Sequence, residues 1–566
     1  MNRVPSAGII NSTKNGARVS RPAAALPLVA LIGTLALLLS CGEGSVSAPS
    51  TSTPKTTPTV SVQGSPAQQP TPSPPPGGAS PSIDLATTPA LLTVYGADSG
   101  DFLSDIPALA TGDFNHDGID DVLVGARFAD GPANSRKDAG EAYVVFGARQ
   151  LPSTVDIAAG GQNLTLYGDS PGGNFGFSAA AGDVNGDGID DILVGAPTEA
   201  NRDGALGAVY IIYGAAGLGG TVDTASGQQD VTINGPGGNA FFGDSVALGD
   251  VNGDKRNDII VGSTFAEDPG RQLGNAGAVF VLFGSASLPR AIDTAKGQQN
   301  AVIYAADPFD ELGDTVISGD VNGDGIDDII ATAEAADGPN NDRDVAAEVH
   351  IVFGRPDLGG ALRISNGDQD VSIYGAEAHD TLGFSLASGD LNGDGKDDII
   401  MGARLADGPL NKRPEAGEVY VVFGSADLPQ DIDILLEQQD LTIFGADPSD
   451  FLGSTEAVGD VNGDGSNELL LGTGFGAGAA NARFASGEAS VLAPVPNHGA
   501  LDMAAGVARL AIYGAQTGDG LASSLVTGDI NGDGRNEIVM IAAGAPGLTG
   551  TPKAGRIYVV AVPDLG

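Results

Sequence analysis

A motif Gly-Asp-x-Asn-x-Asp occurs seven times in this 566-residue chain, with its first Asp at 113, 183, 250, 320, 390, 460 and 529. Counted from that Asp, positions 1, 3 and 5 are Asp, Asn and Asp in every copy, and position 9 is always acidic. The oxygen sets are Asp113, Asn115, Asp117 and Asp121; Asp183, Asn185, Asp187 and Asp191; Asp250, Asn252, Asp254 and Asp258; and Asp320, Asn322, Asp324 and Asp328. The remaining three are Asp390, Asn392, Asp394 and Asp398; Asp460, Asn462, Asp464 and Glu468; and Asp529, Asn531, Asp533 and Glu537. Alternate oxygen side chains on a tight turn converge on one point, and hard oxygen donors suit Ca²⁺. Position 7 (Ile119, Ile189, Arg256, Ile326, Lys396, Ser466 and Arg535) is expected to add its backbone carbonyl, turned inward by Gly at position 6 in six copies.

An EF-hand does not fit, because its bidentate Glu at position 12 is replaced by Val124, Val194, Val261, Ala331, Met401, Leu471 and Met540. A plain hairpin turn would need at most two of these residues. Three converging carboxylates would also repel one another without a cation. Up to seven Ca²⁺ are therefore expected. The third loop has Lys255 in place of the glycine and Arg256 beside it, and is expected to be the weakest.

The spacings between loops are 70, 67, 70, 70, 70 and 69 residues, so residues 84–566 divide into seven near-equal units. Each unit carries four short β-branched or aromatic runs bounded by Gly, such as Val371–Gly375, Phe384–Gly389, Asp191–Gly195 and Val419–Gly424 in their respective copies. Such runs read as strands. Four strands repeated seven times imply an all-β, seven-bladed β-propeller with four-stranded blades, since a closed ring removes exposed edges. The seventh unit stops after its third strand, Arg556–Val560, so Leu91–Tyr95 is expected to complete the last blade and latch the ring.

Ahead of the repeats, residues 1–42 carry Arg3, Lys14, Arg18 and Arg21 and no acid, then an apolar run from Ala23 to Leu39. The run ends at Leu38-Leu39-Ser40-Cys41-Gly42, and Cys41 is the sole cysteine. This resembles a bacterial lipobox and implies a lipoprotein signal peptide over 1–40 and lipidation of Cys41. Residues 41–83 are rich in Pro, Ser and Thr and read as a disordered linker. The folded part is then expected outside the cytoplasm, tethered to the membrane through its lipid alone, at the cell surface or in the periplasm.

A net charge of −45 argues against nucleic acid as a partner, because the field repels phosphates. Four His and one Cys leave too few soft ligands for an ordinary zinc or Fe–S site.

Units reading Phe175-Gly176, then Gly182–Gly188, then Gly195-Ala196-Pro197 look like the FG-GAP repeats of the integrin alpha-chain propeller. The likeness is looser where Phe-Gly becomes Leu312-Gly313 or Leu382-Gly383, and where Gly-Ala-Pro becomes Gly125-Ala126-Arg127 or Ala331-Thr332-Ala333. The resemblance implies calcium on one face, stiffening the turn between the first two strands of a blade, and partners on the opposite face. That opposite face is expected to carry a basic rim, with Arg127, Arg136, Lys137, Arg404, Lys412 and Arg413 as partner contacts. The rim would surround an acidic centre that includes Asp98, Asp101, Asp105, Asp310, Asp380 and Asp450. A docking surface for an anionic protein or glycan follows, on a monomeric propeller acting as a binding or adhesion module. A structural envelope component is the alternative. Similar repeats accompany the catalytic domain of glycosylphosphatidylinositol-specific phospholipase D, which makes a hydrolase of glycans or phospholipids a third reading. No nucleophile–base pairing or Gly-x-Ser-x-Gly elbow is present in the sequence, so the chain is expected not to be an enzyme.

Overall fold

The computed structural model describes residues 81–101, 108–200, 206–270 and 274–563. The expected signal peptide, Cys41 and nearly all of the linker lie outside them. Among the described residues every helix is a single 3₁₀ turn, and no helix is long and apolar enough to cross a membrane.

The chain folds as an all-β propeller built from antiparallel meanders. In the fifth repeat Leu382–Gly389, Asp398–Ala403, Glu418–Val422 and Leu441–Phe444 pair in sequence order. The second and third strands are buried throughout, which explains their unbroken apolar runs.

A fifth strand corrects the expectation of four per blade. Gly499–Asp502, from the next repeat, runs parallel along Leu441–Phe444 in register Leu441↔Gly499 to Phe444↔Asp502. Thr154–Asp156, Gly220–Asp223, Ala291–Asp293, Gly360–Arg363 and Asp431–Asp433 do the same elsewhere. Each outer edge is thereby covered by its neighbour.

The hydrogen-bonded sheets number six among the described residues: five of five strands and one of ten. The large sheet joins two meanders through one parallel pair, Gly207↔Phe242. The same bridge recurs as Gly140↔Phe175, Gly277↔Leu312, Gly417↔Leu452 and Gly487↔Leu521. This backbone contact is what the Phe-Gly motif makes, so Leu replaces Phe without loss of the bridge.

The glycine near the end of the second strand has a sharper role. A Cβ on Gly402 would lie 2.1 Å from the carbonyl oxygen of Gly453 in the next repeat. Where the fourth repeat has Thr332 instead, its hydroxyl donates to Gly383 O at 2.9 Å.

The N-terminal segment enters two sheets. Ser82–Asp84 runs parallel to Leu510–Tyr513, and Leu92–Tyr95 pairs antiparallel with Arg556–Val560, Tyr95 opposite Arg556. These are the positions that the connection and fourth strand of a seventh complete repeat would fill.

Candidate functional site

Each carboxylate loop joins the first and second strands of a meander. In the first, Asp113 accepts the backbone N–H groups of Asp117 (3.0 Å) and Gly118 (2.8 Å), and Asp117 accepts that of Ile119 (3.1 Å). These bonds wind the turn tightly. Asp121, at position 9, is fully buried and accepts from Phe114 N (3.1 Å), Asn115 Nδ2 (3.1 Å) and Gly147 N at the end of the third strand (3.0 Å). The position-9 acid thus staples the loop to its own sheet.

The third loop keeps this geometry. Lys255 takes φ 71, in the left-handed region where the other loops have Gly, and its N–H still reaches Asp250 at 2.7 Å. Its Arg256 lies 3.5 Å from Asp254, and in the fifth loop Lys396 lies 3.3 Å from Asp394.

Burial is the main cause that raises the position-9 acids, and the loop carboxylates at positions 1 and 5 add to it. Asp121 is pushed up to about 8, Asp191, Asp258 and Asp328 to about 7, Asp398 to about 6, and Glu468 and Glu537 to about 7. The donor chemistry fits a hard cation, since every loop supplies three carboxylates and one amide oxygen. Among the described residues, however, no three His, Cys, Asp or Glu side chains are gathered closely enough to hold a metal, so an ion would have to draw positions 1, 5 and 9 together.

Position 8, which sequence reasoning passed over, links loop to loop. Asp113 N donates to Asp190 Oδ2 (2.9 Å), Asp250 N to Asp327 Oδ2 (2.8 Å) and Asp320 N to Asp397 Oδ2 (3.1 Å). Asn257 N donates to Asp183 O (3.0 Å), Asn467 Nδ2 to Asp390 O (3.0 Å) and Asn536 N to Asp460 O (3.3 Å). Asp529 N donates to Asp120 Oδ2 (2.9 Å), so the last loop bonds to the first. The signal available in sequence was an Asp or Asn at position 8 of every copy.

The opposite ends of the meanders carry the residues expected to form a basic rim, and most are engaged within the chain. Arg136 pairs with Asp223 (2.6 Å) and Arg413 with Asp502 (2.6 Å). Arg343 pairs with Asp433 (2.8 Å) and Arg483 with Asp84 (2.8 Å). In every case the Asp ends the parallel fifth strand beside the arginine's own sheet. The third repeat inverts the charges: Arg363 ends the strand and Asp268 lies in the loop, 2.7 Å apart. Arg127 stacks against Phe128 and Phe177, its guanidinium carbon 4.7 and 5.2 Å from the ring centres. Arg404 is half-buried, its guanidinium carbon 3.4 Å over the Phe384 ring and close to the carboxylates of Glu334 and Asp314. Lys137 is exposed and bound to Asp138 (2.6 Å), and Lys412 is exposed. A continuous basic rim is therefore not what the fold builds.

The acids of that face are clustered. Asp310 is pushed up to about 8 by burial, with Glu348, Asp307 and Asp337 adding repulsion. Asp380 (about 7) is raised by burial with Glu418, Glu377 and Asp407 nearby, and Asp450 (about 7) by burial with Glu488 and Asp447. Asp101 is raised to about 6 by burial beside Asp98 and Asp130, whereas Asp105 lies outside the described residues. The recurrent Ala-Asp-Gly at 129–131, 336–338 and 406–408 was the missed signal for the third member of these clusters.

The FG-GAP repeat family matches residues 107–145, 175–212, 242–282, 382–422 and 521–560. Phosphatidylinositol-glycan-specific phospholipase D of Homo sapiens is 28% identical over 311 residues, 53% of this chain and 35% of that protein. Integrin alpha pat-2 of Caenorhabditis elegans is 31% identical over 245 residues, 40% of this chain and 18% of that protein. Integrin alpha-PS2 of Drosophila melanogaster is 28% identical over 274 residues, 47% of this chain and 18% of that protein. The matches thus span about a third or less of the length of these relatives.

Proposed function

Because this chain carries an integrin-alpha-like FG-GAP repeat β-propeller, we propose that it is a non-catalytic extracytoplasmic binding or adhesion module. In this reading the seven meanders close a seven-bladed ring, Ca²⁺ in the carboxylate loops stiffens one face, and the opposite face docks a protein or glycan. Cys41 anchors the module through a lipid at the cell surface or in the periplasm. The observation that carries the reading is the loop-to-loop bonding that returns from Asp529 to Asp120. It supports a closed scaffold with oxygen donors repeated around one rim and a chemically different surface on the other. If bound, Ca²⁺ would supply counter-charge to positions 1, 3, 5 and 9 and to the carbonyl of position 7.

The test is a calorimetric Ca²⁺ titration of the chelator-stripped chain, followed by a screen of glycans and surface proteins with calcium present. Six or seven sites support the reading; zero or one reduces the loops to hydrogen-bonded turns. The likeness to phosphatidylinositol-glycan-specific phospholipase D favours a hydrolase as the second reading. Turnover of a phosphatidylinositol-glycan substrate by the purified chain would establish it over the binding module.

A further inference from the structure

Over the fifth and sixth repeats, the face opposite the carboxylate loops presents apolar side chains to solvent. Leu410 is 82% exposed, Phe484 77% and Phe475 42%. They lie on the adjoining loops of two neighbouring repeats, Phe475 and Phe484 on the same loop. Phe475 meets Phe451 edge-on at 5.2 Å, and Phe451 N donates to Glu415 O in the loop that carries Leu410.

The tips are held in place. Asn411 Nδ2 donates to Glu377 (2.8 Å) and Asn481 Nδ2 to Asp447 (2.8 Å). Leu410 itself sits at φ 58, a left-handed conformation in which a branched apolar side chain is disfavoured. The chain therefore keeps a leucine fully outward at a position where it gains nothing for folding.

Charge completes the description. In these two loops Arg404 is half-buried over the Phe384 ring, and Arg413 and Arg483 are spent on Asp502 and Asp84, leaving Lys412 as the exposed cation. Glu377 accepts from Asn411, next to Leu410 in the chain, Asp447 accepts from Asn481 in the loop that carries Phe484, and Glu415 lies in the loop that carries Leu410.

We propose that this acid-bordered apolar patch docks a protein segment presenting Leu- or Phe-like side chains flanked by Lys or Arg. The proposal rests on the binding-module reading and reverses the charge of the partner anticipated from sequence. Apolar burial would supply affinity, and the carboxylates would steer the cations and exclude acidic competitors.

The test uses two synthetic twelve-residue peptides of equal positive charge, one alternating Lys with Leu and one alternating Lys with Ser, titrated against the full chain at physiological salt with calcium present. The Lys/Leu peptide is expected to bind at least tenfold more tightly. Leu410→Ser with Phe484→Ser, both solvent-facing, should abolish that difference while leaving the unfolding temperature in place. Glu377→Gln with Asp447→Asn should weaken the Lys/Leu peptide and flatten its salt dependence. Equal binding of the two peptides, or a difference that survives the Leu410/Phe484 variant, overturns the proposal. If the patch fails these tests while a glycan or acidic protein is bound with calcium present, the binding-module reading stands and only this assignment falls. Binding to zwitterionic vesicles that the Lys/Leu peptide does not compete overturns it in favour of a membrane contact.

Discussion

Replacing Arg363 with methionine tests whether the arginine–aspartate pairs between repeats hold the ring together. Asp268 is completely buried and Arg363 is 22% exposed, with Nε 2.7 Å from Oδ2 and Nη2 3.0 Å from Oδ1. Gly270 N, at 2.8 Å, also donates to Asp268, and the guanidinium carbon lies 5.3 Å over Tyr304. Methionine keeps most of the stem but takes the two-point guanidinium contact away from a fully buried carboxylate, a loss of about 3–5 kcal/mol. With an unfolding entropy of about 2.1 cal/mol/K per residue over some 480 residues, each kcal/mol moves Tm by about 1 °C, so a fall of about 3–5 °C is expected. Adding Asp268→Asn should restore most of it, because a neutral amide is far less costly to bury than a carboxylate. Lys137→Met, removing a pair whose lysine is 81% exposed, should leave Tm almost unmoved. Differential scanning calorimetry of these three variants beside the unaltered chain measures the losses. If Arg363→Met costs under about 1 kcal/mol, or Asp268→Asn does not rescue it, the buried-charge reasoning fails.

Three further outcomes are expected. The acids at position 9 bind protons more tightly folded than unfolded, so their contribution to stability is full below their ordinary values near 4. It is lost as pH rises through about 6 to 8. Chelated protein should therefore lose stability over that window and Ca²⁺ should restore it most at the upper end, as thermal melts from pH 4 to 8 would report. Gly402→Ala forces a Cβ to within 2.1 Å of Gly453 O and should destabilise by about 1–3 kcal/mol or prevent folding, read by denaturant unfolding. Lys255→Gly relieves the left-handed lysine of the third loop and should stabilise by about 1 kcal/mol, with an added or tightened Ca²⁺ site in the titration.

The repeats, the strand runs and the four oxygen positions were legible because each is written locally, within about ten residues. The parallel fifth strand was not. Thr154–Asp156 is three residues long, has one buried side chain and shows no alternation that separates it from a loop. The arginines were legible as charges but not as partners, since Arg136 and Asp223 are 87 positions apart and Arg343 and Asp433 are 90. A rim drawn from charge alone therefore overstated what faces solvent. Position 8 escaped notice for the opposite reason: its work is done on a neighbouring loop, so its role is invisible within its own.

The strand Leu92–Tyr95 is paired with Arg556–Val560, with Tyr95 opposite Arg556. A ribosome adding about 5–20 residues per second needs roughly 25–90 s to travel between them. For that interval Leu92–Tyr95 can pair only with Thr154–Asp156, and Asp84 has no Arg483 to receive it. Closure therefore waits on the meeting of segments far apart in sequence rather than on any local nucleus. A nascent or truncated chain offers open edges at both sides of the arc, which other chains can extend. The stability of the finished ring and the vulnerability of the growing one follow from the same pairing.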